Sequence, residues 1–83
     1  MSQLRQSETA AEWQKATVAA DVETRRADLQ AARARLTELE NGARPQEKME
    51  AKAAVDAAAA ELDRASKDWD RAQTLLARSQ SLQ

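Results

Sequence analysis

The chain has 83 residues, of which 20 are Ala, while 8 Leu, 3 Val, 2 Met and 2 Trp are its only larger apolar side chains. Alanine buries little area, so these fifteen groups can fill one thin seam but no broad core, which excludes most globular enzyme folds. The 13 basic and 14 acidic residues cancel to a net charge of −1 and leave no electrostatic footprint for nucleic acid or an anionic membrane.

Ala, Glu, Lys, Leu and Arg together supply 49 of the 83 residues, a share typical of coiled coils and long helices. The first segment is predicted to be a helix over about 3–40. In it Val22, Leu29 and Leu36 recur every seven residues, and Val18, Arg25, Ala32 and Leu39 form a second column. Leu4 and Ala11 extend the pattern towards the N-terminus, whereas Glu8 and Lys15 interrupt it and predict a looser end. Arg25 occupies a seam position, where its aliphatic stem covers the seam and its guanidinium reaches solvent or Asp21, one turn earlier. Trp13 falls at the heptad position farthest from the seam and so projects into water in an isolated pair of helices.

The one Gly and the one Pro lie three residues apart, in Asn41-Gly42-Ala43-Arg44-Pro45. Asn41 and Gly42 suit a helix C-terminus with a left-handed residue, and Pro45 suits the first position of a new helix, where its missing N–H is no loss. Arg44, preceding proline, is pushed out of helical geometry. Glu47 places a carboxylate in the first turn, where the helix dipole favours it. These signals predict a turn at 41–45 and a second helix over about 46–80.

In that second segment Val55, Leu62, Trp69 and Leu76 recur every seven residues, and Ala51, Ala58, Ala65 and Ala72 precede each by four. Folding the second helix back so that paired residue numbers add to 87 sets a large side chain against a small one in nearly every layer. Leu36 faces Ala51, Ala32 faces Val55, Leu29 faces Ala58 and Val22 faces Ala65. Further out Arg25 meets Leu62, Val18 meets Trp69, Lys15 meets Ala72 and Ala11 meets Leu76. Close packing at constant separation asks for this alternation. The expected fold is therefore all-α, an antiparallel two-helix coiled-coil hairpin in one unit over residues 1–83, each helix about 50–55 Å long at 1.5 Å per residue. The competing arrangement is one continuous helix, kinked at Gly42 and Pro45 and paired with another chain.

Leu75 and Leu82 lie beside the main columns, and with Trp13 they mark an expected second packing surface, used for self-association into four helices or for contact with a larger assembly. Trp69 sits in the seam and is expected in the core. The charged faces carry i,i+4 pairs such as Asp21 with Arg25 and Asp63 with Lys67, each contributing about a few tenths of a kcal/mol. With no Cys and no His there is no thiol nucleophile, imidazole base or conventional zinc site, and no phosphate loop or activated serine motif occurs. The expectation is a protein that is not an enzyme and binds no cofactor, no metal and no nucleic acid. The longest uninterrupted apolar run is Ala57 to Ala60, so no direct membrane insertion by this segment is expected.

Leu39-Glu40-Asn41-Gly42-Ala43-Arg44-Pro45-Gln46-Glu47, followed by an Ala-rich helix ending in Asp70-Arg71-Ala72-Gln73-Thr74-Leu75-Leu76-Ala77-Arg78, resembles the helical hairpin of HlyD-type periplasmic adaptors, or membrane fusion proteins. Many of these carry a Gly-x-Arg-Pro-Glu-Glu-Ile break between Ala/Gln-rich helices. The resemblance spans residues 25–83 and departs at Gln46, in place of an acidic residue, and at Lys48, in place of an apolar residue facing Leu39. It implies a structural segment of a larger, inner-membrane-anchored periplasmic protein that links an inner-membrane transporter to a TolC-like outer-membrane channel in efflux or type I secretion. Neighbouring adaptor protomers would be further partners. No basic-plus-apolar leader follows Met1, so the export signal of such a parent is expected outside these residues. The family's tip motif is Arg, three residues, Leu, six residues, Ser. Arg71 and Leu75 match it as channel-contacting residues, and Ser81 stands one place early for the third. That motif belongs at the turn farthest from the membrane, whereas the pairing above puts residues 71–83 at the open end. Both hold if the chain stops just short of the true tip, or if an isolated fragment folds back as its parent does not. The alternative function is a free-standing cytoplasmic coiled-coil scaffold or chaperone-like protein.

Overall fold

The computed structural model describes residues 2–81 and consists of two helices, α1 (Ser2–Leu39) and α2 (Pro45–Ser81), folded against each other as an antiparallel hairpin. The molecule is a rod of 64 × 15 × 12 Å. Leu82, and the side chain of Leu4, lie outside the described residues.

The reversal is built from backbone. Glu40 N donates to Leu36 O at 3.0 Å and to Thr37 O at 3.3 Å, and Ala43 N donates to Leu39 O at 3.3 Å, which satisfies carbonyls that the end of α1 would leave unpaired. Gly42 carries a φ of 106°, a conformation L side chains rarely adopt. A Cβ at that position would meet nothing within 4 Å, so the torsion, not lack of space, demands glycine there. Arg44 O accepts the first α2 bond, from Lys48 N at 3.1 Å, and Pro45 is the first residue inside the helix, where no donor is lost. Glu47 in the first turn and Arg78 in the last complement the dipole of α2. With the chain reversed at 40–44, the single kinked helix is excluded as the arrangement of this chain.

The least exposed positions follow the heptad columns without a slip. They recur at intervals of three and four from Glu8 to Leu39 in α1 and from Lys48 to Ser79 in α2, with Ala19, Asp21, Glu61, Ser66 and Asp68 beside the columns also partly covered. Val22 and Leu29 of α1, with Ala51 and Ala65 of α2, are the buried apolar residues among those described. Val22 and Ala65, paired by the 87 rule, form the tightest layer, at 7% and 2% exposure. The other seam residues keep part of their surface in water, as a pair of helices without a third neighbour requires. Lys48 and Leu39, the layer next to the turn, are both half-buried.

Two seam residues behave differently from their sequence reading. Lys15 does not break the seam: its ammonium lies 5.4 Å from the centroid of the Trp69 ring, a cation held over an aromatic face. Trp69 is half-buried, not enclosed, because small Ala19 and Ser66 flank it and leave one edge of the ring open to clefts on that side. Arg25 reaches Asp21 as expected, at 3.4 Å, and also lies 3.9 Å from Asp28 and 3.9 Å from Glu61 of the opposite helix. Among the described residues this last contact is the one ion pair that crosses between the helices.

Candidate interaction surfaces

Among the described residues, the clefts do not enclose a ligand. The concavities are shallow clefts open to solvent, set along the flanks where one helix meets the other or beside a projecting side chain. Among the described residues no group of three His, Cys, Asp or Glu is placed to hold a metal ion, and no helix is long and apolar enough to cross a membrane. The surfaces worth considering are therefore the turn, the two flanks of the seam and the outward face of each helix.

At the turn, Asn41, Gly42, Arg44 and Pro45 are all exposed. Beside it the sequence reading missed Met49, which is 70% exposed on the first turns of α2. The heptad count that singled out Trp13 also places Met49 outside the seam, so the signal was available. Ala-rich surroundings make both residues conspicuous, since each is the one large apolar group on its stretch of surface.

At the open end, Arg71 and Leu75 come together in one cleft that bridges the helices, with Gln14 and Val18 supplying its α1 wall and Asp68 and Ala72 its floor on α2. Arg71 is ion-paired to Asp68 at 3.6 Å and remains 72% exposed, and Leu75 is 55% exposed. One face of α2 thus presents a guanidinium and an isobutyl group one turn apart. Ser81 does not line this cleft, and its hydroxyl donates to Arg78 O at 3.1 Å. All three residues lie at the end of the rod opposite the 40–44 turn.

Trp13 is 74% exposed and stands over a separate, largely apolar cleft on α1 with Arg5, Gln6, Thr9 and Ala10. It does not share a cleft with Leu75, so the expected second packing surface divides into two places, and Leu82, its third expected member, lies outside the described residues.

Charges are spread along both flanks as short-range pairs. Arg26 meets Glu23 at 3.0 Å, Lys67 meets Asp63 at 3.0 Å, and Arg35 and Arg64 meet Glu38 and Glu61 at 3.6 Å. Exposed pairs at this spacing add little stability, and they neutralise the flanks locally. Compared with family models, with curated proteins and with solved structures, the chain has no match.

Proposed function

We propose that this chain is a structural hairpin that works by docking its outward faces against other helices, and that its setting is a periplasmic adaptor linking an inner-membrane transporter to a TolC-like outer-membrane channel. The observation that carries the docking role is a 64 Å rod whose clefts, among the described residues, are open to solvent and whose only large exposed apolar groups among those residues are Trp13, Met49 and Leu75. The adaptor setting is supported by the Gly42-Ala43-Arg44-Pro45 break between Ala-rich helices and by the pairing of Arg71 with Leu75 in one accessible cleft. In this reading Arg71 and Leu75 contact the channel, neighbouring protomers pack along the flanks, and no turnover occurs.

A second reading, a free-standing cytoplasmic scaffold or chaperone-like protein, is favoured by a specific observation. Arg71 and Leu75 sit at the open end of the hairpin, whereas adaptors of the resembled family carry their Arg/Leu/Ser motif at the turn. Photocrosslinking in the native cell separates the two. A benzophenone side chain at Leu75 should give an adduct of the mass of a channel subunit in the periplasmic and membrane fractions, and one at Asp56 should not. Recovery of the chain in the cytosolic fraction, with no channel adduct from Leu75, would overturn the adaptor setting and leave the scaffold.

A further inference from the structure

We propose that Asn41 is a site of spontaneous modification, at which the backbone nitrogen of Gly42 displaces the side-chain amide through a cyclic imide and leaves an aspartyl or isoaspartyl residue in the turn. The chemistry is independent of the setting in which the hairpin works. Position 41 holds the chain's one asparagine, and the chain's one glycine follows it. Both are exposed, and both lie beyond Leu39, the last residue of α1, so the helical ladder does not fix their backbone.

The reaction needs a backbone nitrogen that can swing onto the preceding carboxamide. Among the described residues, the backbone bonds of the turn are donated by Glu40, Ala43 and Lys48, and the Gly42 N–H has no acceptor. The Asn41 carboxamide takes part in none of the side-chain hydrogen bonds among those residues. A single bond, Ala43 N to Leu39 O at 3.3 Å, spans the two residues. Gly42 has no side chain to obstruct the carboxamide, and even a Cβ there would meet nothing within 4 Å, so the turn is uncrowded on that side. Glycine also lets the backbone leave its φ of 106° at little steric cost as the ring closes.

Solvent hydroxide takes the proton from Gly42 N, which attacks Cγ of Asn41. The N–Cγ bond forms, the Cγ–Nδ2 bond breaks, and the side-chain nitrogen leaves as ammonia with a proton from water, which regenerates hydroxide. The product is a five-membered imide through C, Cα, Cβ and Cγ of Asn41 and N of Gly42. Water then opens it at Cγ to give an aspartyl residue, or at the backbone carbonyl carbon to give an isoaspartyl residue. Net, one water is consumed and one ammonia released, with no oxidation or reduction. Either product places a carboxylate at the end of α1, whose last turn has no basic residue and already carries Glu38, with Glu40 just beyond it. The helix dipole disfavours negative charge there. The isoaspartyl form also routes the main chain through Cβ and Cγ, one atom longer, inside the turn that the Ala43 N to Leu39 O bond closes. Both changes loosen the reversal on which the hairpin depends.

Incubation of the full chain at neutral pH, at a temperature where circular dichroism shows it helical, followed by intact mass and peptide mapping, tests this. The chain should gain about one dalton, OH for NH2, at position 41. An isoaspartyl methyltransferase should then transfer a labelled methyl group to it from S-adenosylmethionine. The rate should lie within about tenfold of that of the same chain unfolded in guanidinium chloride, a span equal to about 1.4 kcal/mol of barrier. Asn41→Gln, which closes only through a larger ring, should keep its mass, and the aged wild-type chain should melt at a lower temperature than the fresh one. A helical chain that keeps its mass while the unfolded chain gains it would overturn the proposal. So would an equal gain by Asn41→Gln, or an aged chain that melts with the fresh one.

Discussion

Gly42 and Arg25 show how single positions set the hairpin. Gly42 is fixed by torsion alone, since its φ of 106° is strained for any L side chain while the space around it is empty. Gly42→Ala should therefore destabilise the hairpin by about 1–2 kcal/mol, the scale of forcing an L-residue into left-handed backbone. Urea unfolding followed by circular dichroism checks it, and an unchanged midpoint would mean that the turn can relax to a negative φ. Arg25 presents the opposite case. Its three carboxylate contacts are at 3.4–3.9 Å with the side chain 38% exposed, so they contribute little, while its place in the seam faces Leu62. Arg25→Leu should raise the melting temperature by burying apolar area against Leu62, and should weaken the preference for one register by removing the contact to Glu61. A lower melting temperature would show that the ion pairs outweigh the seam.

At the scale of the helix pair, alternation of large and small is what determines the register. Val22 and Ala65 make the clearest layer, and exchanging their sizes tests the rule directly. Ala65→Leu alone should destabilise by about 1–3 kcal/mol through overpacking, and Val22→Ala alone should cost somewhat less because the site is small. The double variant restores one large and one small side chain to the layer, so it should be more stable than the sum of the singles by about 1 kcal/mol. Strict additivity would mean that the two do not share a layer. This alternation was legible in the sequence because two columns with a period of seven survive any choice of loop, and the Gly42 and Pro45 punctuation marks the reversal. The contacts of Lys15 and Arg25 were less so. A cation in an apolar column reads as an interruption, and only the position of the opposite helix shows whether a ring or a carboxylate lies within reach of its long side chain. Trp69 was read as core for a related reason: its column is clear, but its exposure depends on the small flanking Ala19 and Ser66. The partner of the candidate surfaces was not legible, since a docking face records its own shape and charge and leaves the identity of what covers it to the other molecule.

For the whole molecule, the thinness of the seam governs behaviour. Among the described residues, four are buried apolar groups and two of those are alanines, so burial offsets chain entropy only narrowly in a lone hairpin. Any surface that binds the folded rod and not the unfolded chain will then add visibly to stability. Association linked to folding contributes about 2.7 kcal/mol at a hundredfold excess over Kd. Each kcal/mol moves Tm by about 4–8 °C in a chain of this size. If the exposed faces self-associate, thermal melts across a hundredfold range of concentration should accordingly show Tm rising by roughly 10 °C or more once the chain exceeds the Kd of that association. A wild-type Tm that ignores concentration would mean that the hairpin seam alone sustains the fold, and that alternation of Leu, Val and Trp with alanine packs more tightly than its small buried area suggests.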